Sequence, residues 1–229
     1  MLIFALAAVP AGGDGVDGDD FTVYLSVASD YVFRGSSQTR EKPAVQLGVE
    51  FEHESGLFAG IWGSNVEFPP LGPAEDPRDV EVQLYGGYGF DLGRGWALSA
   101  ALARYEYPGA GGRFDWDYTE GSLALLYRDG SLSLSRSESA LGSSYEGLAV
   151  EVANRWQLPA ELALLVTAGY YDLRAPFLED YAYWSAELSR PFRWLTLMLG
   201  YFDTDSRGEE LWGDRAAARL VAGASFRIH

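Results

Sequence analysis

The sequence predicts an all-β fold: a closed antiparallel up-and-down transmembrane β-barrel of about twelve strands. Three observations point there. Apolar and polar residues alternate with a period of two along most of the chain, connections alternate between short and long, and aromatic residues gather at the strand ends. Alternation by itself fits two folds. A soluble sandwich hides its apolar face and wets the polar one, whereas a membrane barrel turns the apolar face to lipid and the polar face to an aqueous lumen.

Taken in order, the first strand is expected over about 20–34. Phe21, Val23, Leu25, Val27, Tyr31 and Phe33 share one face, and Thr22, Tyr24, Ser26, Asp30 and Arg34 the other. The second, about 43–53, sets Val45, Leu47, Val49 and Phe51 against Gln46, Gly48, Glu50 and Glu52. A Ser55-Gly56 turn leads to the third, about 56–68, and the proline-rich PPLGPAEDPRD after it forbids a ladder and marks a long loop. The fourth, about 79–91, opposes Val80, Val82, Leu84, Tyr88 and Phe90 to Glu81, Gln83, Tyr85 and Asp91. The fifth, Trp96 to Tyr107, has no clear phase, because Leu98 and Leu102 share parity with Arg104 and Glu106.

The glycine-rich PGAGGRFDWD loop precedes a sixth strand, about 117–128, with Leu123, Leu125 and Tyr127 opposite Glu120, Ser122 and Ala124. Asp129-Gly130 is a hairpin signal. In the seventh strand, SLSLSRSES, leucine alternates with serine until Arg136 and Glu138 interrupt. The eighth, about 145–158, sets Leu148, Val150, Val152 and Trp156 against Glu151 and Arg155. Four more follow at about 161–173, 180–190, 194–204 and 214–228, with Trp184 and Leu188 opposite Ser185 and Glu187 in the tenth. Every odd connection in this reading is long and every even one short. Outer-membrane barrels share this asymmetry, with short periplasmic turns, longer extracellular loops and, for an even strand number, both termini periplasmic.

Trp96, Tyr127, Trp156 and Trp194 fall beside short turns; Phe33, Phe68, Tyr107, Tyr118, Tyr181 and Tyr201 fall near long loops. Two such sets are read as the interfacial aromatic girdles of a bilayer-spanning barrel. Phe226 lies near the end, where outer-membrane barrels carry an aromatic for the insertion machinery, although Arg227-Ile228-His229 extends past it.

Composition agrees. With no cysteine, disulfides, thiolate metal sites and cysteine nucleophiles are excluded, and a net charge of -16 argues against nucleic acid. Residues 2–11, LIFALAAVPA, resemble the apolar region of a secretory signal without its basic start, so 1–11 is read as a residual signal-like segment. Residues 12–19 are read as an acidic glycine-rich linker whose aspartates lack the spacing of an EF-hand loop, and 20–229 as the barrel domain.

The blocks DYVFRGSSQ, KPAVQLGVEFEHESGLFAGIWGSNVEF, VEVQLYGGYGF and ARYEYPGA resemble the TorF-like porins, the Gcw_chp family of proteobacterial outer-membrane proteins. The likeness continues more loosely through AGYYDL, YWSAELS and LMLGYFDTD. It implies an outer-membrane barrel with a channel role and names no solute.

On these phases the lumen receives Asp30, Glu50, Glu52, Glu67, Glu81, Glu120, Glu151 and Glu187, with Arg34, Arg155, Arg215 and Arg219 on the same side. An excess of acid within low-dielectric walls favours cations, so a porin for small cationic or neutral solutes is expected. The alternative is a barrel plugged by cross-paired charges, acting as a structural or adhesion scaffold. Asp30 and Arg34 are expected near the outer end, in a constriction with Asn65 and Glu67 or in a register-fixing ion pair. A lipid-modifying enzyme would need histidine with serine and an acid. Only His53 and His229 exist, and the His53-Glu54-Ser55 run is expected to point its side chains apart. No cofactor or metal site is expected. The expected surroundings are outer-membrane lipid, lipopolysaccharide and small solutes, and a homo-oligomer is compatible with the apolar exterior.

Overall fold

The computed structural model describes residues 19–68, 78–108, 116–143, 145–173 and 179–228. The signal-like segment 1–11, the linker 12–19 apart from Asp19, the acidic loop around Glu75 and Asp76, and His229 lie outside the described residues.

The described strands are β1 (Asp20–Ala28), β2 (Val32–Phe33), β3 (Ser36–Ser37), β4 (Ala44–Glu52), β5 (Leu57–Phe68), β6 (Arg78–Gly93), β7 (Trp96–Glu106), β8 (Tyr118–Tyr127), β9 (Gly130–Ser137), β10 (Gly147–Leu158), β11 (Leu162–Asp172), β12 (Tyr181–Phe192), β13 (Leu195–Thr204) and β14 (Arg219–Ile228). All but β2 and β3 form one closed barrel of antiparallel neighbours, and β14 completes the ring against β1 with Leu25 opposite Phe226. Closure satisfies every strand edge, the condition for crossing hydrocarbon with strands. Among the described residues no helix is long and apolar enough to cross a membrane.

The wall faces the way a membrane barrel requires. Val27 opposes Val45 and Leu25 opposes Leu47, an apolar ladder that looks outward; Val45 is 55% and Leu47 54% exposed. Their sequence neighbours point inward, and Gln46 and Glu50 are buried at 2% and 8%. Around the ring the outward row continues through Ile61, Leu84, Leu123, Leu134, Val150, Leu188 and Leu199. A polar, small and aromatic interior under an apolar exterior is the reverse of a soluble core.

The unclear phase of β7 now has a cause. Leu98 and Leu102 face outward in the apolar belt, and Arg104 and Glu106 continue the same face beyond it, where Arg104 meets Asp117 at 3.4 Å. Arg136 ends the leucine row of β9 in the same way and pairs with Glu146 at 3.0 Å. In both strands the face is unchanged and the chain has simply left the apolar zone.

Two strands are shorter than the sequence suggested. The first stops at Ala28 rather than 34, and the last begins at Arg219 rather than 214. The residues lost from the first strand turn into the barrel, as described below. Before the last strand stand helix α1 (Ser206–Trp212) and a 3-10 turn, Gly213–Ala216. Asp205 starts α1 by accepting a hydrogen bond from the Gly208 backbone N–H at 3.1 Å.

Candidate functional site

The strand ends that flank the long connections lie at one end of the barrel, and the short turns with the described residues nearest both termini lie at the other. The two ends are filled differently. At the long-loop end, residues 29–43 fold inward and seat a hairpin, β2–β3, among the walls. Val32 pairs with Ser37 and Phe33 with Ser36, leaving Arg34-Gly35 as a two-residue turn. Both turn residues have positive φ, +47° and +80°. These are the signs of a type I′ turn, which normally places asparagine, aspartate or glycine first. Gly35 meets its requirement, and a Cβ there would also overlap Thr204 and Tyr183. Arg34 holds this conformation as an arginine, against backbone preference.

The segment is tied to opposite walls by buried ion pairs. The Arg34 guanidinium donates through both terminal nitrogens to the two carboxylate oxygens of Glu120 on β8, each at 2.8 Å, and both side chains are buried. It also lies over the rings of Phe33 and Tyr171, 4.7 and 4.5 Å from their centroids. On the other side Asp30 accepts from Arg219 of β14 at 3.0 Å, and from the Ser37 and Thr39 hydroxyls at 2.7 Å. Polar bonds fill the gaps. Tyr181 donates to the Arg34 carbonyl at 2.9 Å, and the Glu67 backbone N–H to the Gln38 carbonyl at 2.7 Å. Glu81 accepts from Tyr31, Tyr107 and Gln83. Paired and hydrogen-bonded in this way, the charges are tolerated where they are buried.

The short-turn half is built from smaller parts. Its inward row includes Ser99, Ala101, Ser122, Ala124, Ser133 and Ser225. The larger groups there lean on glycines: a Cβ at Gly48 would overlap the Tyr24 ring, and one at Gly60 the Tyr85 ring. Tyr85 donates to Glu50 at 2.7 Å there, and nearer the plug Tyr183 donates to Glu151 at 2.9 Å.

The residues singled out from sequence therefore separate. Glu50, Glu52, Glu81, Glu120, Glu151, Arg155, Glu187 and Arg219 lie on inward positions of the wall. Asp30 and Arg34 are inside the bore but on the folded-in segment, not on strand one. Asn65 and Glu67 do not join them. Asn65 sits on the outward side, where its amide oxygen accepts from the Val45 N–H at 2.7 Å and its nitrogen donates to the Pro43 carbonyl at 3.0 Å. Glu67 pairs with the exposed Lys42 at the long-loop rim. The expected four-residue constriction is replaced by the pairs Arg34–Glu120 and Asp30–Arg219, whose wall partners no local pattern could assign.

The aromatic sets also divide. Trp96, Tyr127, Trp156 and Trp194 are outward and exposed at the short-turn end, with Trp96 against Tyr127 and Trp194 stacked on Phe226 at 5.3 Å. Tyr107 and Tyr181, expected in the other girdle, point inward instead and are buried around the plug. Phe68 packs with Tyr107 and Trp116 beneath Arg215, and Tyr118 stacks on Tyr105 at 4.3 Å. Parity explains the error. Tyr181 shares the face of Ser185 and Glu187, and a position near a strand end does not override that. Outward aromatics at this end are Tyr170, Trp184 and Tyr201.

His53 departs from expectation as well, since its Nδ1 lies 2.9 Å from the Ser55 hydroxyl and its Nε2 3.6 Å from Asp19. The same Nδ1 accepts the Ser55 backbone N–H at 3.1 Å, which makes the contact a cap for the exposed turn. Among the described residues no cluster of histidine, aspartate and glutamate is arranged to hold a metal ion.

Two solved porins share this architecture. A KdgM porin superposes with a TM-score of 0.56 at 6% identity, covering 91% of this chain and 99% of its own. A NanC porin gives 0.57 at 12% identity, covering 91% of this chain and 100% of its own. At these identities the likeness shows the fold alone, a closed antiparallel β-barrel. No curated protein sequence matches. Residues 13–226 match the family described as bacterial protein of unknown function (Gcw_chp), and the chain belongs to that family.

Proposed function

We propose that this chain is a TorF-like outer-membrane channel for small cationic or neutral solutes, with both termini periplasmic and the outer mouth closed by residues 29–43. The observation that carries the reading is the distribution of charge inside the wall. In the plugged half Arg34 and Arg219, both buried, are each bonded to a carboxylate. In the short-turn half Glu50 accepts from the Tyr85 phenol, and Glu52 and Glu187 share that lumen with Arg155 and Arg227, while Glu151 accepts from Tyr183 beneath the plug. An acid-rich lumen in a low-dielectric wall concentrates cations. Outer-membrane lipid would meet the apolar belt and lipopolysaccharide the long-loop rim, with the insertion machinery acting on the β14 end.

Arg34→Ala/Glu120→Gln removes both members of the tip ion pair, which avoids leaving one charge buried alone. In a planar bilayer under a KCl gradient, this variant should give a reversal potential on the cation-selective side, and adding Glu50→Gln with Glu151→Gln should move it toward zero. Anion selectivity would refute the reading. The close packing of Tyr118, Tyr171 and Tyr181 around the plug supports a second reading, a permanently closed structural barrel. Silence from the folded pair-deleted variant would favour that one.

A further inference from the structure

We propose that the Glu120 carboxylate and the Tyr171 ring form a seat for small guanidinium or amidinium cations, which Arg34 occupies as an internal stand-in for the solute. This deepens the channel reading and rests on it, naming the solute class and the means by which the solute opens the bore.

Three features of the seat are specific to a planar cation. Glu120 meets the guanidinium fork to fork, with both oxygens engaged at 2.8 Å. The Tyr171 face lies 4.5 Å from the guanidinium carbon, a stacking contact that suits a flat delocalised cation better than a compact ammonium. The seat also belongs to the wall and not to the plug: Glu120 is on β8 and Tyr171 on β11, so it persists when the hairpin leaves. The opposite tie is different in kind. Asp30 is held by Ser37 and Thr39 of its own segment as well as by Arg219, so it organises the loop internally. The Arg34 guanidinium instead projects from a turn tip and places its two hydrogen bonds on the wall. The backbone supports the distinction, since an arginine stands at φ +47°, where a two-residue turn favours smaller residues.

Below the seat, toward the short turns, β8 and β9 present Ser122, Ala124, Ser133 and Ser135, and β10 to β12 present Glu151 and the Tyr183 ring laid over Gly169. A small cation approaching from that side meets the Glu151 carboxylate and the Tyr183 hydroxyl bonded to it before it reaches Glu120. A solute that takes Glu120 replaces the Arg34 ion pair with an equivalent one, so the hairpin loses its tip anchor at little electrostatic cost.

The test is binding of methylguanidinium to the purified, refolded barrel, followed by titration calorimetry. Arg34→Ala should bind it at least tenfold more tightly than Arg34→Ala/Glu120→Gln, and wild type should fall between them. Tetramethylammonium and urea should not substitute. Wild type supplies a second readout that needs no variant. Millimolar methylguanidinium should speed amide exchange at Ser37 and Gln38, while equal tetramethylammonium should not. Equal binding by the single and double variants, or equal exchange with both cations, would overturn the seat. Conductance separates the two claims: a cation-selective pore indifferent to methylguanidinium refutes the seat and leaves the channel, whereas binding in a silent barrel supports the seat and refutes the channel.

Discussion

The two halves of the bore solve the same problem in opposite ways. At the long-loop end the wall carries large inward groups, Tyr105, Tyr107, Tyr118, Tyr171 and Tyr181, and a chain segment sits among them, tied to Glu120, Arg219 and Tyr181. At the short-turn end serine, alanine and glycine line the wall, with a few rings laid flat over glycines. The comparison teaches that the barrel itself does not decide whether the bore is blocked. In the proposed reading one connection does, through a small number of charge-assisted bonds that break more readily than a β-ladder.

Substitutions that distinguish the halves should therefore differ in size. The largest effect is expected for Arg219→Ala, which leaves Asp30 buried without its cation and should cost about 3–5 kcal/mol in equilibrium unfolding from vesicles. Ser99→Ala in the other half should stay within about 0.5 kcal/mol. Next, Leu47→Arg on the outward belt should cost about 2–4 kcal/mol, while Ser225→Arg on the inward face should mainly move ion selectivity. Equal costs for these two would mean that the wall is oriented differently. Gly35→Val forces a branched side chain onto positive φ against Thr204, and about 1–3 kcal/mol should be lost, with faster amide exchange confined to 29–43. The smallest change is expected for Trp194→Ala, which gives up its stacking on Phe226 and about 0.5–1.5 kcal/mol.

Much of the barrel was legible in the sequence, because a period of two survives wherever one face meets lipid and the other meets water. Val45 to Phe51 and Leu148 to Trp156 show it directly, and the alternating connection lengths supply the topology. The plug was not legible, for a reason visible at Tyr31 and Phe33. Their parity continues that of Val27, so nothing local reveals that the chain has left the wall at Ala28. Only the wall partners decide that, and Glu120 and Arg219 lie 86 and 189 residues away from Arg34 and Asp30. The same blindness put Tyr107 and Tyr181 in the outer girdle, although Tyr181 carried a readable signal in its parity with Ser185.

Single-channel conductance of the wild-type barrel beside Arg34→Ala/Glu120→Gln, in one lipid and one salt, tests most directly whether residues 29–43 close the bore. Wild type should pass small or infrequent steps, and the pair-deleted form should pass steps several-fold larger with cations carrying the current. Full-sized steps from wild type, unchanged by the substitutions, would contradict it.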